Sequence, residues 1–180
     1  MQRLHERYPG RIHLNRWSFA LRPEPDPTAA FQGTYREAAW RQASSLSADV
    51  GIAFRMWTRS DFPQWSLPAL EAAKCAELQG VEAFERMHLS LFRAFFEEGL
   101  NIGQPAEVIE VARRAGLDME QFLKDYEHGS QRNRILEEHK QAVSQYGVRA
   151  IPTVVIGEGP PIVGAVPLEE YEQLLMRLLR

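Results

Sequence analysis

The chain has 180 residues, 44% of them hydrophobic and 25% charged, which is the composition of a soluble globular chain long enough to bury a core. Its formal net charge of -3 lacks the basic excess that draws a protein to phosphate backbones, so nucleic acid is excluded as an expected partner. No run reaches the apolar length of a transmembrane helix and MQRLHERYPG has no apolar signal-peptide core, so no membrane partner is expected and the chain as given is expected in the cytoplasm.

In chain order, Pro9-Gly10 marks a turn, and Arg11 to Leu21 alternates Ile12 and Leu14 with polar neighbours, the pattern of a strand. RPEPDP follows, where three prolines forbid regular structure. Tyr35 to about Val50 reads as a helix weakened by serines, and RMWTRSDFPQW as an irregular link. Ser66-Leu67-Pro68 is a helix start and Gly80 a helix end. The next helix places Phe84, Met87, His88, Leu91, Phe92 and Phe95 on one apolar stripe before Gly99. Val108, Val111, Ala112 and Ala115 repeat that spacing up to Gly116, and Asp118 with Gln121 forms a capping box for the helix of Phe122 and Tyr126. A last helix of this series runs from Ser130 to Tyr146 and closes at Gly147.

The C-terminal stretch is compact. Thr153 to Ile156 is an apolar β-branched strand, GEGPP is a tight turn, and Ile162-Val163 is a short partner that must be antiparallel, because five loop residues cannot make a parallel crossover. Pro167 then opens a helix with Leu168, Tyr171, Leu174, Leu175 and Leu178 on one face. Pro152 stands directly before the first strand of this hairpin, where it removes a ladder donor and gains a structural design little.

The residues that usually carry chemistry are sparse. Cys75 is the single cysteine, so no internal disulfide, CxxC pair or thiolate zinc site can form, and its alanine-rich helical context reads as a small buried hydrophobe. His5, His13, His88, His128 and His139 are scattered, so no metal site is expected. The adjacent pairs Glu97-Glu98, Glu137-Glu138 and Glu169-Glu170 read as solvated helix surface, and Trp40, Trp57 and Trp65 as aromatic core. No cofactor is called for.

Strand, helical stretch, antiparallel hairpin and terminal helix is the order of the second part of a thioredoxin fold. On LFRAFFEEGLNIGQPAEVIEVARRAGLD, YGVRAIPTVVI and IVGAVPLEEYEQLL, the chain resembles the DsbA family, in its FrnE-like branch. The resemblance implies an α/β thioredoxin-like fold with a large all-helical insertion. It divides the chain into a partial thioredoxin-like domain, residues 1–34 with 147–180, and a helical insertion, residues 35–146. It further implies a cis-proline loop that receives an extended substrate, with Ala150, Ile151, Pro152 and Thr153 as the binding residues. Proline suits such a bend because an X-Pro bond costs only about 0.5–1 kcal/mol to hold cis.

One departure matters. The family's CxxC lies at the start of its first helix, after a first strand, and neither is present here; Met1 to Pro9 reads as the last two turns of that helix. The expectation is therefore an N-terminally shortened thiol-disulfide oxidoreductase with no catalytic residue in this chain, its central strand missing between Ile12–Phe19 and Thr153–Ile156. The exposed edges so left lead us to expect a homo-oligomer. Its partner would be a protein or small-molecule thiol or disulfide. Two rival readings stand beside it. One is a glutathione-dependent enzyme of the 2-hydroxychromene-2-carboxylate isomerase or kappa transferase type, with glutathione in the same loop. The other is a non-catalytic thioredoxin-like module that binds a peptide there.

Overall fold

The structure, a computed structural model, describes residues 2–47 and 53–179. Met1 and the end of the helix expected to reach Val50 lie outside the described residues. The chain divides into two units, residues 1–19 with 136–180 and residues 20–135.

In the larger unit, α2 (Tyr35–Ser47) is followed by the irregular link and then by α3 (Leu67–Leu78), α4 (Val81–Phe96), α5 (Pro105–Arg114) and α6 (Met119–Glu127). The last four pack around Met87, Val108, Val111, Ala112 and Phe122, none of which keeps any exposed surface. The stripe on α4 is split more finely than its spacing suggested. Ala83, Met87, Leu91 and Ala94 face the core, whereas Phe84, His88 and Phe92 stack along the next strip of the helix, where Phe92 is exposed. A second cluster gathers Phe31, Trp40, Trp57 and Phe62 around Phe95, so two of the three tryptophans are core. Trp65 is only half-buried, and its indole N–H donates to the Pro23 carbonyl at 3.0 Å.

The irregular link is fixed by charge rather than by a ladder. The Arg59 guanidinium grips Asp61 with Nε and Nη2, each at 2.7 Å, and Glu107 in the first turn of α5 with Nη1 at 2.9 Å and Nη2 at 2.7 Å. Buried Asn101 donates its side-chain amide to the Asp61 carbonyl at 2.8 Å. Bidentate pairing of this kind holds a loop in one geometry.

Asp118 caps α6 as expected, accepting from the N–H groups of Glu120 and Gln121 at 3.1 and 3.2 Å. The return arm of the capping box does not form. The Gln121 amide donates instead to Asp125 one turn on, at 2.6 Å, where it meets a charged acceptor. Helix α7 (Arg132–Tyr146) starts two residues after Ser130, and the boundary between the units falls inside it.

The smaller unit holds α1 (Gln2–Arg7), the extended segment after Gly10, the end of α7, β1 (Thr153–Val154), β2 (Ile162–Val163) and α8 (Leu168–Leu178). Leu4, Tyr171 and Leu175 form its core, with Val154, Ile156 and Ile162 packed against them. β1 and β2 are antiparallel, with Thr153 opposite Val163 and Val154 opposite Ile162. The first strand is two residues shorter than its apolar run. This register sets Val155 opposite Pro161 and Ile156 opposite Pro160, and proline has no N–H for a ladder. Ile156 instead accepts from Gly159 at 3.1 Å, which starts the turn.

The strand expected at Arg11 to Leu21 is corrected. The segment has no ladder partner among the described residues and is not a strand. Its period-two alternation survives as burial, with Ile12 and Leu14 half-buried between exposed neighbours and Ser18 and Ala20 buried. Alternation reports which side of an extended chain is covered; a strand also needs a neighbour to bond with.

Candidate functional site

The loop singled out at Pro152 is built by two hydrogen bonds. The Pro152 carbonyl accepts from the Gly164 N–H at 2.8 Å, which ties the loop to the end of β2. The Thr153 hydroxyl donates to the Ala150 carbonyl at 2.6 Å, closing the bend across Ile151 and Pro152. The peptide bond between Ile151 and Pro152 is cis. Ala150, Ile151 and Pro152 are exposed, Ile151 to 48%, and Thr153 is half-buried. All four predicted binding residues therefore sit together at a surface bend.

The bend opens one end of a groove of about 250 Å³. One wall is Asn15, Trp17, Ser18 and Phe19; the other is Ile151, Thr153, Val155 and Gly157. Ala142 and Tyr146 of α7, with Val148, form its floor. The first wall is pinned to α7. The Ser18 N–H donates to Glu138 Oε2 at 2.7 Å, the Trp17 ring meets Tyr146 edge-on with centroids 5.4 Å apart, and Phe19 lies 4.7 Å from the His139 ring. No side chain of the lining carries a charge at neutral pH, and Trp17 and Tyr146 are 43% and 39% exposed at its rim. Such a surface favours an apolar guest with a main chain to bond.

The sequence reading did not include Asn15, Trp17, Phe19, Ala142 or Tyr146 in the site. The signal for them was the two-residue spacing of 15, 17 and 19 and the four-residue spacing of 142 and 146. Each says that its residues share a side, but neither says what that side faces.

Cys75 belongs to the larger unit. It is 1% exposed, and its thiol is pushed up to about 12, first by burial and then by the Asp125 and Glu71 carboxylates, against a hydrogen bond from Ser130. A thiol so protonated is inert at neutral pH. Among the described residues no three His, Cys, Asp or Glu side chains gather as a metal site, and no helix is long and apolar enough to cross a membrane.

The model of the DSBA-like thioredoxin domain matches residues 1–176. Among curated proteins, the chain is similar to the ClpXP adapter protein SpxH of Bacillus subtilis, 27% identical over 78% of this chain and 49% of the relative. It is also similar to the ClpXP adapter protein SpxH of Halalkalibacterium halodurans, 30% identical over 69% of this chain and 42% of the relative. The chain thus spans about half the length of the curated relatives it matches. A candidate protein disulfide isomerase from Nitrosomonas europaea shares the fold, with a TM-score of 0.62 at 22% identity, over 80% of this chain and 74% of that one. The fold is of the thiol-disulfide oxidoreductase type, and the chain belongs to the family of DSBA-like thioredoxin domains.

Proposed function

We propose that this polypeptide captures an extended segment of a partner protein at Ala150–Thr153, as a peptide-binding module of the DsbA type. The carrying observation is the exposed Ile151 main chain, whose N–H and C=O have no hydrogen-bond partner among the described residues, at the mouth of an apolar groove. Main-chain groups presented beside an apolar slot bind extended peptides by strand addition, with side chains taking up alternate positions. The single cysteine is buried and protonated, so capture here needs no thiol. The curated relatives, named as adapters for ClpXP, fit a role in holding another protein.

The test is titration with extended, cysteine-free peptides. Ile151→Pro removes a free donor and is expected to weaken binding at least tenfold, while thiol alkylation leaves it unchanged. Binding indifferent to Ile151→Pro refutes the reading.

A second reading is favoured by the family itself: a thiol-disulfide oxidoreductase, of which this stretch supplies the receiving loop and a segment preceding Met1 supplies the cysteines. Thiolate attack on a substrate disulfide would then give a mixed disulfide, resolved by the second cysteine. In-frame coding sequence upstream of Met1 that carries no Cys-x-x-Cys, and no Ser or Cys variant of it, refutes this. Either way, residues 1–180 alone are expected to show no dithiol-dependent insulin reduction.

A further inference from the structure

We propose that the groove between residues 15–19 and 151–157 is a slot for one β-strand, filled by an extended, uncharged main-chain segment of a partner protein lying between its two walls. This rests on peptide capture at Ala150–Thr153 and names what the partner inserts beyond that bend.

Backbone parity carries the inference first. β1 is bonded by β2 on one side only. The Pro152 carbonyl bonds Gly164, on the β2 side, so the alternation of an extended chain turns the main-chain groups of Ile151, Thr153 and Val155 the other way, into the groove. Those of Ile151 and Val155 have no hydrogen-bond partner among the described residues. On the facing wall the Ser18 N–H is taken by Glu138, and the same alternation turns Asn15, Trp17 and Phe19 away from that bond; their main-chain groups also have no partner among the described residues. A ligand answering donors and acceptors repeated every second residue on two sides is another extended main chain.

Side-chain chemistry narrows the guest. Ile151, Thr153, Val155 and Gly157 line the groove, while the residues between them, Val154 and Ile156, pack into the core with Leu4 and Tyr171. The lining holds no ionised side chain, so a charged residue of the guest would be desolvated there without a counter-ion. Seven residues of wall, from Ile151 to Gly157, span about 20 Å, the length of an ordinary strand of about five or six residues.

The probe is a terminally blocked, cysteine-free heptapeptide alternating valine with threonine, added to the full chain and followed by amide hydrogen exchange and titration. Exchange at Trp17, Phe19 and Val155 is expected to slow at least tenfold. Binding is expected to fall at least tenfold when alternate peptide nitrogens are methylated, when glutamates replace the valines, and in Ala142→Trp, which fills the floor. The two modified peptides leave the protein untouched, so they decide the matter if Ala142→Trp does not fold. Equal binding of the methylated peptide overturns the proposal. So does protection of both walls before any peptide is added, which reports a segment of the protein's own chain in the slot or, if it depends on protein concentration, a second copy. Protection confined to Ala150–Thr153 removes the slot and keeps the bend as a capture site; protection at neither removes both.

Discussion

Modification of Cys75 is the sharpest check on the thiol-independent reading. An ordinary thiol, with a pKa of about 8.5, is roughly one-quarter thiolate at pH 8. At about 12, the Cys75 thiol keeps only about one part in 10⁴ as thiolate. The ratio is roughly 2,000, but a more basic thiolate is intrinsically more nucleophilic. A Brønsted slope of about 0.4–0.5 over some 3.5 units returns about 25- to 60-fold. The balance is a rate roughly 40 to 100 times below that of a free thiol, before the covering of the sulfur by its helix neighbours slows it further. Iodoacetamide alkylation at pH 8, followed by mass spectrometry in buffer and in urea, measures this directly. A native rate within tenfold of the unfolded rate would refute the reasoning and return Cys75 to consideration as a reactive group. The same burial carries a pH signature. The folded value lies above the unfolded one, so the neutral thiol's contribution to stability is complete below about pH 8.5 and is lost as pH rises towards 12. Tyr126 is raised as well, chiefly by burial and then by Glu71, so it adds to the alkaline loss above about pH 10.

Leu4→Ala empties a fully buried position in the core of the smaller unit and should cost about 2–5 kcal/mol, read from urea unfolding by circular dichroism; under 1 kcal/mol would mean that α1 is not packed there. Arg59→Lys keeps the charge but cannot bridge Asp61 and Glu107 together, and a loss of about 1–2 kcal/mol is expected by the same measurement, with Arg59→Ala losing more.

What was legible in the chain was local. The helices from Leu67 to Tyr146 could be read because three- and four-residue spacing and helix-ending glycines act within a turn or two: Gly80, Gly99, Gly116 and Gly147 all take positive φ where the helices end. Asp118 could be read as a cap because its partners are two and three residues away. The hairpin could be read from its turn length, yet its strands were overestimated, since pairing across the register with Pro160 and Pro161 decided where they end. The segment after Gly10 had the alternation of a strand and lacked a neighbour, a fact held by no single stretch of sequence. The stripe on α4 was found, but which part of it faced the core depended on α3 and α5.

For the site, the sequence alone determined its residues at the bend, Ala150 to Thr153, and the isolation of Cys75, because a proline before a strand and a lone cysteine are visible one position at a time. Only the tertiary structure decided that the bend opens onto a groove. Asn15 to Phe19 and Ala142 to Tyr146 lie more than 120 residues apart, and they meet through one side-chain bond from Glu138 and two ring contacts. Contacts between segments so far apart arise from burying shared apolar surface, and periodicity within either segment carries no record of the partner it will find.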